Sequence, residues 1–252
     1  MSLNNPKHTA VGAALVMLLI ATGTARAQAT GPDEPKWSAD FAIGWDNGIT
    51  GNINSSGIGS INNQVVVITK NSYNDVYGAG LHLKFGGGYL FKPDTEARLT
   101  FTFQSLDADF IVPMGDIGAS RLYGQYSDYQ AFGIDFGLRR YATLRPKLRA
   151  YGEGTIGIGF VDKTDVTLVA PGANLVNNPN DFYDQTAAFT FGVNVGLDVQ
   201  SGKKFGYFGQ LGLRYVSGMA QIDDLEGTGL DNINDKSARW TMPFIVGIHY
   251  RF

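Results

Sequence analysis

The residues with the most chemical potential are charges spaced among apolar side chains. Asp40, Lys84, Arg98, Asp135, Arg139, Arg149, Glu153, Asp198 and Arg214 each share a period-two row with polar or small residues, and large apolar residues fill the row between. Brought together in a confined space, such groups would either neutralise one another as ion pairs or line a hydrated path. An unpaired buried ion costs several kcal/mol, which favours pairing. Other chemistry is thinly supplied. There is no cysteine, so neither a disulfide framework nor a thiol metal site is available. His82 and His249 have no third histidine or paired spacing near them, so no metal site and no cofactor are expected. The run GEGTIG (152–157) matches a dinucleotide fingerprint in letters only, because strand-like sequence follows where a helix is required. The acidic run DDLEGTGLDNIND (223–235) lacks the glycine placement of an EF-hand loop and reads as a solvated surface loop.

The elements that position the charges follow from the alternation. The last thirteen residues place Trp240, Met242, Phe244, Val246, Ile248, Tyr250 and Phe252 on one face of a strand. Similar stretches begin near Trp37, Tyr77, Arg98, Phe132, Leu148, Ala187 and Tyr207, which makes eight strands. Only Arg140 puts a charge on any of the apolar faces. A charge facing lipid at mid-bilayer depth costs about 2–4 kcal/mol, so faces this clean belong against lipid. Backbone groups in a bilayer must pair within the protein, and strands achieve that only in a closed barrel. The expected fold is therefore all-β: a transmembrane, antiparallel, up-and-down β-barrel of eight strands, or ten if QVVVIT (64–69) also spans. That segment is expected to form a hairpin or strand extension above the membrane instead.

The chain ends agree with export. Residues 1–27 read as a signal peptide, with Lys7 and His8, an apolar run from Val11 to Ala21 and the cleavage site Ala25-Arg26-Ala27. Residues 28–36 would be a short periplasmic segment and 37–252 the barrel. Three connections are short (92–95, 143–147 and 201–204). Four are long, at about 46–76, 107–128, 161–185 and 217–237. Short periplasmic turns and long extracellular loops are the habit of outer-membrane barrels, and eight strands put both termini in the periplasm. The aromatic residues Trp37, Tyr89, Phe91 and Tyr207 would gird one interface, and Trp45, Tyr77, Tyr215 and Trp240 the other. Trp37 and Trp45 are separated by roughly 20 Å along the membrane normal, close to the ~25 Å apolar band.

On these residues the chain resembles the small eight-stranded outer-membrane barrels of the outer-membrane protein A, X and opacity types, over 37–252. The resemblance implies that Gly247, Tyr250 and Phe252 form a C-terminal assembly signal, read by the barrel-assembly machinery; Ile245 stands where a polar residue is usual. Lipid A hydrolases of this kind carry a serine two residues after a histidine near the C-terminus, and Arg251 occupies that place after His249.

Charge narrows the partners. The four long segments hold fifteen Asp or Glu against four Lys or Arg, so nucleic acid is not an expected partner. Outer-membrane lipid and lipopolysaccharide are, through divalent cations on the acidic loops, as is a surface ligand bound by the loops. The leading functional reading is a non-catalytic structural or surface-interaction barrel in the outer membrane. A small channel for ions or solutes is the alternative, and a lipid A-modifying enzyme the third.

Overall fold

A computed structural model describes residues 36–176, 179–222, 229–230, 232–234 and 237–252. The leader expected at 1–27 and most of the acidic run 223–235 lie outside the described residues. β1 (Trp37–Asn54) opens the barrel. The chain then forms a hairpin of β2 (Gly57–Ile61) and β3 (Gln64–Ile68), a short β4 (Asn71–Ser72) and one helical turn, α1 (Tyr73–Val76). β5 (Gly80–Lys92) and β6 (Thr95–Leu106) are barrel strands, followed by a second hairpin of β7 (Val112–Ile117) and β8 (Ser120–Tyr126). β9 (Tyr129–Arg145) and β10 (Leu148–Val161) lead into β11 (Thr164–Ala170), β12 (Leu175–Val176) and β13 (Asn180–Tyr183). β14 (Thr186–Gln200), β15 (Phe205–Val216) and β16 (Arg239–Arg251) complete the chain.

Eight strands, β1, β5, β6, β9, β10, β14, β15 and β16, pair antiparallel in sequence order. β16 pairs back onto β1 from Ser38↔Arg251 to Gly51↔Arg239, so the barrel has no edge. At the seam Trp37 and Phe252 exchange backbone hydrogen bonds of 3.4 and 3.0 Å. Phe41, Phe85, Leu99, Phe136, Ile156 and Phe244 stand exposed around the outside. Exposure of so continuous an apolar surface is tolerable only in lipid. No helix among the described residues is long and apolar enough to cross a membrane; the strands do so.

Aromatic contacts mark the two rims. Trp37 packs on Tyr89 at 4.7 Å near the short-turn end, where Tyr250 also stacks on Phe252 at 6.2 Å. Toward the other end Phe191, Tyr215 and Trp240 form a cluster with centroids 5.3–5.6 Å apart. Tyr77 departs from its expected place in the girdle. It is 4% exposed, its ring stacks on Tyr73, and its hydroxyl donates to the Ser127 carbonyl at 3.1 Å. The physical reason is that α1 turns the chain inward before β5, which begins at Gly80, and a phenol drawn inside needs an acceptor.

The long connections are folded. β2, β3, β7, β8, β11 and β12 form a second antiparallel sheet in the order β12-β11-β8-β7-β3-β2, and β13 pairs with β11. QVVVI is its β3, outside the barrel. The β2–β3 turn uses Asn62 and Asn63 at φ 52° and 62°, the conformation that a two-residue hairpin with the native twist requires. The β8–β11 pair continues the β9–β10 pair upward, joined by Ser127 N to Asp165 O and Asp162 N to Gln130 O, each 3.0 Å. Val66, Ile68, Met114, Leu122 and Leu168 turn inward onto Ile53, Phe182 and Tyr183, one core running from the barrel mouth into the external sheet. Burial holds the Tyr126 phenol well above its ordinary range, so it remains a neutral donor to Asn54 Oδ1 at 2.9 Å. Placing a cysteine at Phe110, 76% exposed beyond the barrel, should allow labelling of intact cells by an impermeant maleimide, whereas one at Phe136 should stay unlabelled. Labelling of both would remove the membrane from around β9.

Candidate functional site

The alternation that sends apolar residues outward turns their neighbours into an eight-stranded interior, which is just wide enough for side chains to fill. Charges occupy it in tiers. The most populated centres on Glu153, which is 1% exposed and lies on β10. Its carboxylate accepts from Arg139 Nε at 2.7 Å, and Lys84 Nζ and Arg98 Nε approach at 3.3 and 3.8 Å. Arg98 also binds Asp40 in a short contact and Glu96 at 3.3 Å. Three carboxylates (Asp40, Glu96, Glu153) thus meet three cations (Lys84, Arg98, Arg139) within one layer. Tyr141 donates to Glu96 at 2.6 Å, Ser38 donates to its other oxygen, and the Arg139 guanidinium lies 4.1 Å over the Tyr151 ring.

Toward the short-turn end Asp198 gathers Arg149 at 2.8 Å, Arg251 at 3.7 Å and His249 at 3.8 Å. Toward the long-loop end Asp135 faces Arg214 at 3.5 Å and accepts the Thr190 hydroxyl at 2.7 Å. Above it Asp46 accepts from Gln104 and lies 3.7 Å from His82. The neck is closed by Arg239, 2% exposed, its guanidinium 3.9 Å over Tyr129 and 5.0 Å over Tyr73.

All nine charges singled out by spacing point into this interior, and each has an opposite charge within 4.0 Å. Glu96 and Arg251 are partners, and Asp46 and Arg239 further interior charges, that the sequence reading leaves out. Glu96 and Asp46 have the parity of Arg98 and Asp40, so carrying the alternation two residues farther into the turn, or past Trp45 along β1, would have found them. Arg140, the one charge on an apolar face, pairs with Asp94 at 3.2 Å at the short-turn rim. Gly247 faces inward, and a Cβ there would collide with Ala42 and the Phe208 ring, so its small size has a packing reason. Cavities left within the lumen are small, about 30 Å³ between His82, Asp135 and Arg214 and about 10 Å³ beside Tyr129. Each is of the order of one or two waters. No three His, Asp or Glu side chains among the described residues converge as metal ligands.

A charged, side-chain-filled interior inside an apolar, edgeless exterior, with β1 starting and β16 ending at the short-turn end, defines the class. The protein is an eight-stranded outer-membrane β-barrel. No protein-family model matches the chain, and no curated protein matches it. Solved structures with a related outline include Neisserial surface protein A, at 10% identity over 86% of this chain and 96% of that one, TM-score 0.47. The outer-membrane protease OmpT of Escherichia coli follows at 10% identity, covering 90% and 100%, TM-score 0.45. The outer-membrane protein OprG of Pseudomonas aeruginosa gives 10% identity, 87% and 97%, TM-score 0.41.

Replacing Glu153 with alanine leaves Lys84, Arg98 and Arg139 in excess by one charge in a closed layer. The barrel should lose about 3–5 kcal/mol of unfolding free energy, as broken buried pairs do. Denaturant unfolding in lipid vesicles measures this, and an unchanged midpoint would mean that these groups are hydrated.

Proposed function

We propose that the barrel is a closed, non-catalytic anchor whose role is to hold the external sheet at the cell surface for interaction. The observation that carries this reading is the occluded lumen. From Asp198 to Arg239 the interior formed by the described residues is occupied by paired charges and aromatic rings, with small cavities of about 30 and 10 Å³ among them. A continuous path for hydrated solute would need those tiers to separate. His82 and His249 lie in the lumen against Asp46 and Asp198, away from lipid, which speaks against a lipid-modifying centre. The external sheet, by contrast, buries one face in the hydrophobic core that it shares with the barrel mouth and leaves the other exposed. Acidic side chains of the long connections would bridge to lipopolysaccharide phosphates through divalent cations.

Single-channel recording on the refolded barrel should show no steady open current. A persistent ohmic conductance in the unmodified protein would favour the channel alternative and defeat the anchor.

The same proposal gives the last strand its role in biogenesis. Phe252 closes the seam with Trp37 and stacks on Tyr250, both exposed to lipid, so this end would be read by the barrel-assembly machinery before closure. Deleting Phe252 should lower outer-membrane yield and leave degraded chain in the periplasm. Full yield with native heat-resistant mobility would count against a signal there.

A further inference from the structure

The external sheet has one face without a partner. Burial alternates along β11, along β8 from Arg121 and along β3 from Val65: Val66, Leu122 and Val166 turn into the core, while Val67, Arg121 and Thr167 turn out. Because β8 and β11 carry the β9 and β10 ladders upward, this outward face continues the lipid-facing wall above the membrane. It therefore faces sideways, where a neighbouring upright barrel would stand.

Its pattern is self-complementary. In the strand order β2-β3-β7-β8-β11-β12 the midline falls between β7 and β8. There Asp116 and Arg121 are direct cross-strand neighbours, 3.2 Å apart, with side chains 49% and 71% exposed. On the β2–β3 side lie Ile58, Val65 and Val67, at 70%, 62% and 40% exposure. On the β11–β12 side lie Val169 and Val176, a cross-strand pair in which Val176 is 74% exposed. A two-fold axis along the membrane normal and through the midline would set β3 over the partner's β11 and β2 over its β12. Apolar would then cover apolar, and each Asp116 would meet an Arg121 of the other copy. Isologous interfaces require this kind of self-matching patch, and aligned sheets pack face to face at about 10 Å.

We propose that this face is a homodimer interface between two copies in the same membrane. Six strands at ~4.8 Å spacing are about 24 Å wide, and five residues are about 17 Å tall, so each copy covers on the order of 400 Å² in plane. The two copies together cover about 800 Å², which falls below the roughly 1,000 Å² expected of a specific interface between freely diffusing proteins. Copies already held upright in one bilayer have lost much of the orientational freedom that association otherwise removes, which lets a modest face suffice. The inference is independent of the closed lumen, since a conducting barrel could dimerise in the same way.

The absence of native cysteine makes the test clean. Two differently tagged chains are co-expressed, one carrying Val67→Cys and the other Val169→Cys, and intact cells are treated with a short bismaleimide. Within one chain these positions are three strand spacings apart, about 14 Å, and in the test they are on separate chains. A crosslinked species bearing both tags is expected with the native charges. With Arg121→Asp in both chains it should fall at least fivefold, because only carboxylates meet at the axis. With Arg121→Asp in one chain and Asp116→Arg in the other it should return to within twofold of the original, although each chain still carries like charges side by side. Heat-modified mobility of every variant shows that the barrel has folded. No mixed crosslink with native charges would overturn the dimer and leave lipopolysaccharide or another protein as the occupant. A crosslink indifferent to the reversals, or one not restored by the complementary pair, would overturn the proposed axis.

Discussion

The constraint on which everything else depends is that lipid offers backbone groups no hydrogen-bond partner. A sheet in that medium must close on itself, and here it does so where Trp37 and Phe252 bond across the β1–β16 seam. Closure with eight strands fixes the width of the interior, and the period of two fixes which residues enter it. Every second residue is then enclosed with its neighbours from seven other strands, so any charge among them must find an opposite charge or remain buried alone.

The lumen meets that demand by layering. Glu153 touches Arg139, Lys84 and Arg98, and Arg98 passes the connection to Asp40 and Glu96. Aromatic rings take up what carboxylates do not cover: Tyr151 under Arg139, Tyr141 under Arg149, and Tyr129 with Tyr73 around Arg239. The last of these closes the neck with a residue from α1, so the loop that turns inward after β4 belongs to the same filling. Above the neck the core becomes apolar, and the polar interior of the barrel gives way to Ile53, Val66, Met114 and Leu122. A single wall thus has lipid on its outer face below and water above, and its inner face changes from charged to apolar at the same level.

Much of the barrel is legible in the sequence because each strand carries the alternation alone, without help from distant partners. Trp37 to Trp45 and Ala187 to Val199 need nothing but parity. The rims are less legible. Asp46 reads as loop because Trp45 marks the membrane rim, yet β1 continues to Asn54; Glu96 reads as turn because KPDT precedes it. The external sheet is the least legible. Its strands are two to seven residues long and come from three separate connections, so the order β12-β11-β8-β7-β3-β2 depends on which loops meet in space. Only QVVVI announced itself, through β-branched alternation. Tyr77 shows the same limit: its aromatic character fits a girdle, and only the inward turn of α1 gives its hydroxyl a buried acceptor.

The central claim is that the lumen charges are dry partners and not the lining of a wet path, and a double-mutant cycle on Glu153 and Arg139 measures this most directly. Unfolding free energies of the unmodified barrel, Glu153→Gln, Arg139→Met and the double variant give the coupling between the two side chains. A buried, hydrogen-bonded pair predicts a coupling of about 2–3 kcal/mol, with the double variant more stable than the sum of the single losses allows. A coupling near zero, with the single losses simply adding, would show that water screens the pair and would contradict the closed core.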